Sequence, residues 1–146
     1  MTTINPTYKI DTSQLDIKIN RINKRAENLP WAKAGVILKQ SMRKNFDTGG
    51  RYLNRNSKIG GSKKWVKRKK NVPWPLLKKS LALKNSMYWQ LLPNGVKSGS
   101  RGLPYNRSQN LGNPRTSLAA RPFVVAQKQD IANISAIFKN YVGKGS

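Results

Sequence analysis

"SMYWQLLPNGVKSGS", residues 86–100, interrupts a chain whose other apolar segments repeat at helical spacing. Met87 to Leu92 is aromatic and apolar and has the composition of a strand. "PNG" follows, and Asn94 and Gly95 both tolerate positive φ, which marks a turn. Val96 to Ser100 then returns as a weaker second strand. Further along, "FVVAQ" (123–127) reads as one more strand. The expectation is a small, mostly antiparallel β-sheet.

Helices flank that sheet in the sequence. Before it, "DTSQLDIKINRINKRAENL" places Leu15, Ile19, Ile22, Ala26 and Leu29 on one helical face. Asp11, Thr12 or Ser13 can cap its start. Pro30 suits the first position of a second helix, where its missing N–H is no loss. "WAKAGVILKQSMRKNF" continues with Ala34, Leu38, Met42 and Phe46 on a stripe, and Trp31 and Ile37 beside it. Both stripes are expected to pack into a core. At the other end, "QDIANISAIFKNYV" lines up Ile131, Ile134, Ile137 or Phe138, and Val142, with "GKGS" as its stop. The fold class predicted is α+β: N-terminal amphipathic helices, the small sheet with extended loops, and a C-terminal helix.

The segments between lack periodicity. Residues 1–11 read as a flexible arm, residues 47–75 as a basic Gly-rich loop, and residues 101–119 as an extended loop or arm. A short helix is expected to begin near Pro75 and to include Leu76, Leu77, Ser80, Leu81 and Leu83. A chain of 146 residues accommodates one domain, 1–146, of ordinary size. Hydrophobic residues make up 37% of it, so the core is modest and partner subunits are expected to add stability.

Charge is the strongest compositional signal. Lys and Arg number 29 against five acids, giving +24, and such self-repulsion favours contact with a polyanion or an acidic surface. The chain has no Cys and no His, so thiolate sites, imidazole bases and the usual zinc ligand sets are excluded. The carboxylates Asp11, Asp16, Glu27, Asp47 and Asp130 show no helical pairing. "GGSKK" misses the phosphate-loop pattern, because Ser62 separates Gly61 from Lys63. The reading is therefore not an enzyme, with no catalytic residue, metal or cofactor expected. No run is apolar enough to span a membrane, and the N-terminus lacks a secretory pattern, so assembly in a host cytoplasm is expected.

The segment that does invite chemistry is "KKWVKRKKNVPW", residues 63–74. Lys63, Lys64, Lys67, Arg68, Lys69 and Lys70 can pair with phosphates, and Trp65 can stack on a base or anchor the loop. Six such contacts to duplex DNA would lose roughly 10³-fold in affinity between 50 and 200 mM salt. No helix-turn-helix, zinc finger or RNA-recognition signature accompanies them, so any contact would be with backbone charge.

Several short motifs, in order, resemble the phage virion morphogenesis or tail completion proteins of contractile-tailed phages and Mu-like prophages. These are "NFDTGGR", with Phe46, Gly49, Gly50 and Arg51; Trp65 in the following polar loop; and "LLKKSLALKNSM". "YNRSQNLG", Tyr105 to Gly112, and "ARPFV", with Arg121, Pro122 and Phe123, complete the set. The resemblance covers residues 12–142. Leu81 stands where the family carries glycine, and Ser108 where it carries histidine.

The resemblance implies a structural protein of the neck or tail top, located in the virion. It would form a ring, commonly six-fold, that completes the tail or joins it to the head. Its partners would be copies of itself, neighbouring neck, tail-tube or connector proteins, and DNA in the lumen, with no membrane. Independently of the resemblance, Pro122 fixes φ and biases Arg121 to extended backbone, which would put Phe123 in the core and leave Arg121 free to pair with an acidic group nearby. The alternative is a free, basic, non-sequence-specific nucleic-acid-binding protein.

Overall fold

The computed structural model describes residues 13–53, 59–73, 76–77 and 81–144. The fold is α+β. Helices α1 (Ser13–Glu27) and α2 (Trp31–Thr48) lead into a short helix α3 (Ala82–Asn85) and the hairpin β1 (Met87–Leu92) and β2 (Gly95–Ser100). Helices α4 (Asn106–Leu111) and α5 (Lys128–Gly143) follow. The arm expected over 1–11 lies outside the described residues, as do 54–58, 74–75 and 78–80 of the expected loop and helix.

Helix α2 is the spine. Pro30 is its N-cap rather than its first residue. Ala34, Met42 and Phe46 of the expected stripe are buried. Together with Tyr52, Trp65, Leu83, Met87, Phe123 and Val125, the latter two form one apolar cluster. The hairpin packs against α2. There Gly35 lets the ring of Trp89 approach so closely that a Cβ would sit 2.6 Å from it.

The hairpin pairs Met87 with Ser100 through Leu92 with Gly95, antiparallel, as the sequence predicts. Its turn differs in mechanism. The two loop residues are Pro93 and Asn94, and neither these nor Gly95 has positive φ. Pro93 holds φ near −65°, which rules out the mirror-image turns favoured by Asn-Gly.

Three further expectations are corrected. "FVVAQ" is not a strand; only Ala126 makes a bridge, parallel, to Ile59. The stretch 101–119 is not simply extended, because it holds α4 and a 3₁₀ turn at Pro114–Thr116. Of the helix expected from Pro75, the described residues place only Leu83 in a helix, the four-residue α3, with Leu76, Leu77 and Leu81 outside it.

The α1 stripe is also not core: α1 has no buried residue. It packs on α5, whose apolar face is half-covered and whose Phe138 meets Trp31 edge-on at 4.8 Å. Helix α5 starts in a capping box, the Asp130 carboxylate accepting from the Gln127 N–H at 2.7 Å.

Candidate polyanion interface and the joint that holds it

The Gly-Gly-Arg after α2 turns the chain sharply. Gly49 adopts φ +72, the left-handed conformation that ends helices, and both its N–H and that of Gly50 donate to the Asn45 carbonyl. Gly50 has φ +101, and a Cβ there would lie 2.6 Å from the Trp65 ring. One glycine is needed for its dihedral and the next for close approach as well.

Arg51 then folds back on α2. Its Nε donates to Asn45 Oδ1 at 2.9 Å, and its Nη2 to the Ser41 carbonyl at 2.8 Å and hydroxyl at 3.1 Å. Burial pushes its pKa down, against the attraction of Asp130. Asn45 is fully buried and donates Nδ2 to the Phe123 carbonyl at 2.8 Å. The Arg51 carbonyl accepts from Gln127 Nε2 at 3.0 Å.

Trp65 is an anchor, not a stacking platform. Its ring is buried edge-on against Phe46, centroids 5.4 Å apart. Its Nε1 donates to the Pro122 carbonyl at 2.7 Å, and its backbone N–H to the Gly49 carbonyl at 2.8 Å. Phe123 completes the cluster 5.3 Å from Phe46. Helix α4 closes the other side. The Asn110 side-chain oxygen accepts from the N–H groups of Phe123 and Val124 at 2.9 and 3.0 Å, and the Gln109 carbonyl from Arg121 N at 2.9 Å.

Most of the motif residues singled out from the sequence serve one joint. Phe46, Gly49, Gly50, Arg51, Trp65, Pro122 and Phe123 form it. Tyr105 and Gly112 cap the ends of α4, which braces it. Sequence reasoning missed Ser41, Asn45, Asn110 and Gln127. Asn45 left a signal: it sits beside Phe46 and three residues after Met42 on an apolar stripe, where an amide must find internal partners.

The basic tract leaves this joint as a segment pinned at its start. Tyr52 and Lys63 exchange backbone hydrogen bonds at 3.2 and 3.0 Å. Two of the six cations are spent on structure: Lys63 lies 5.9 Å over the Tyr52 ring, and Lys64 Nζ donates to the Thr48 carbonyl at 2.6 Å. Lys67, Arg68, Lys69 and Lys70 line one hollow of about 420 Å³ with Asn71, Val72 and Leu76. All but the half-buried Arg68 are exposed in this foursome.

Arg121 lies behind the tract and is not free. It is 8% exposed, and among the described residues its side chain makes one hydrogen bond, from Nε to the Val66 carbonyl at 3.2 Å. Its pKa is pushed down first by burial and then by the Arg68 charge, while Tyr52 acts in the opposite direction. The acidic partner expected for it is absent among the described residues.

No cluster of three or more potential metal ligands occurs among the described residues, and no described helix is long and apolar enough to cross a membrane. Comparison with family models, curated proteins and solved structures finds no match.

Proposed function

We propose that this chain is a structural virion protein of a phage neck or tail top. It closes with copies of itself into a ring that completes the tail or joins it to the head. The basic tract faces the DNA passing through the lumen. The observation that carries this reading is the joint. Motifs scattered from Phe46 to Phe123, picked out for their resemblance to tail completion proteins, meet in a single hydrogen-bonded cluster. A family that works by shape would retain such residues for shape.

Two further features support it. Leu81 stands where the resemblance expects glycine, and it adopts φ +56, a conformation that suits glycine. Helix α1 exposes Leu15, Ile17, Ile19 and Ile22, apolar surface that a neighbouring subunit would cover.

Mass photometry of the purified chain, with and without purified tails, tests the reading. A closed oligomer alone, or its capture on tails, is expected. A monomer that binds DNA tightly and salt-dependently without closing favours the free nucleic-acid-binding alternative. Replacing Lys67, Arg68, Lys69 and Lys70 by Ser should leave the ring intact; loss of the ring would make the tract an assembly surface instead.

A further inference from the structure

We propose that the hollow lined by Lys67, Arg68, Lys69, Lys70 and Asn71 is a preformed seat for the phosphate backbone of nucleic acid. The inference rests on reading the tract as DNA-facing, and it narrows six candidate cations to four. Lys63 and Lys64 do not line the hollow; they lie against Tyr52 and the end of α2. Trp65 is excluded as a base-stacking group because its ring lies in the core.

The backbone makes the seat. In a straight strand, successive side chains point to opposite faces. Here the chain bends at Lys69 and Lys70, and four consecutive cations line the same hollow of about 420 Å³. Its near end is held before any ligand arrives. Trp65 is fixed to Pro122 and Gly49, and the Val66 carbonyl accepts from Arg121. A seat fixed at one end loses less freedom on binding than a loose charged loop.

Charge selects the occupant. Arg121 is a buried guanidinium with one side-chain hydrogen bond and no carboxylate partner among the described residues, and Arg68 adds like charge beside it. Like charges this close repel one another, and an anion brought near would offset the repulsion. An acidic protein surface would bring isolated carboxylates. Duplex DNA brings about one negative charge per 1.7 Å of axis, which matches four adjacent cations far better. The seat would read phosphate spacing and not base sequence, since no aromatic ring stands among its described lining residues.

The test uses the full chain and a fluorescein-labelled 20-base-pair duplex of arbitrary sequence, followed by anisotropy at 50, 100 and 200 mM NaCl. The seat variant is Lys67→Gln, Lys69→Gln and Lys70→Gln together. The control removes the same charge elsewhere: Lys18→Gln, Lys24→Gln and Lys139→Gln, all exposed on α1 and α5. The seat variant is expected to bind at least tenfold more weakly at 100 mM salt, with the salt slope reduced by about 2.7, roughly 0.9 per lost phosphate contact. The control should lose less than threefold.

Equal losses in the two variants would overturn the seat, since attraction would then be spread over the whole surface. Polyglutamate competing as well as DNA at equal charge would overturn it in favour of an acidic protein. If the seat variant alters the melting temperature, Arg68→Gln carries the same comparison. Mass photometry of the same samples separates the two readings. Seat-specific loss without a ring leaves the seat standing and removes the ring; a ring with uniform losses does the reverse.

Discussion

Two regions of this molecule use their side chains in opposite ways. Around Asn45 and Phe123, buried polar groups and aromatic rings from four segments satisfy one another. Along α1 and α5, neither helix has a buried residue, and Leu15 and Ile17 are 57% and 51% exposed. The difference teaches that a small, highly charged chain need not distribute its stability evenly. It concentrates definition where the chain crosses itself and leaves an apolar flank whose pattern is helical but whose cover is incomplete. Local opening should follow the same division, with the flank exchanging amide hydrogens long before the joint.

The hardest blow to this comparison falls on Asn45. Asn45→Ala removes a donor from the Phe123 carbonyl, where water does not reach, and an acceptor from the half-buried Arg51. It is expected to destabilise the fold by about 3 kcal/mol in urea denaturation, because both partners are left unsatisfied. A loss under about 1 kcal/mol would mean that the joint is not the centre of definition.

The two adjacent glycines sharpen the same point at lower cost. At Gly50 an added Cβ meets the Trp65 ring at 2.6 Å on a backbone with φ +101; at Gly49, φ is +72 but nothing lies within 4 Å. Gly50→Ala should therefore cost about 2–3 kcal/mol, and Gly49→Ala about 1 kcal/mol from the left-handed backbone alone. Equal costs would show that dihedral preference, and not the approach of Trp65, makes the turn. Intrinsic tryptophan fluorescence gives an independent readout, shifting for the Gly50 variant more than for the Gly49 variant.

What could be read from the sequence divides along the same line. Helix α2 was legible because Ala34, Met42 and Phe46 recur at helical spacing, and the hairpin because an apolar run is followed by a turn signal. The joint was legible only as a list of motif residues. Its geometry depends on Asn45, Asn110 and Gln127, amides whose partners lie far away in the chain.

Two of the corrected element assignments have one cause. Helix α4, "NRSQNL", shows no apolar face and is held by tertiary hydrogen bonds. "FVVAQ" has strand composition, but its backbone groups are already engaged. The N–H groups of Phe123 and Val124 go to Asn110, and the Phe123 carbonyl accepts from Asn45. Side chains stand in for a neighbouring strand, so composition predicts a ladder that never forms. The α1 stripe failed differently. Its periodicity was right for a helix, but periodicity does not say whether the apolar face is covered within the same chain.

A smaller effect of opposite sign is expected at the start of α3. Leu81 adopts φ +56 and is largely exposed, so its side chain contributes little burial in exchange for the strained backbone. Leu81→Gly should stabilise the chain by about 0.5–1 kcal/mol, the relief of left-handed strain less the added freedom of glycine in the unfolded state. Chemical denaturation measures it directly. Destabilisation would mean that the Leu81 side chain packs more than its exposure indicates.

The smallest effect on folding belongs to the flank, where it carries the most weight for the comparison. Leu15→Gln with Ile17→Gln should change stability by no more than about 0.5 kcal/mol, since neither side chain is buried within the chain. If the apolar flank is covered by a neighbouring subunit in a ring, the same double variant should abolish closure in mass photometry while leaving the urea midpoint of the isolated chain in place. A stability loss above about 1.5 kcal/mol would make the flank a second core and erase the contrast with the joint. Ring closure with both substitutions present would put the subunit contact elsewhere on the molecule, and the exposed stripe on α1 would lose its place in the assembly.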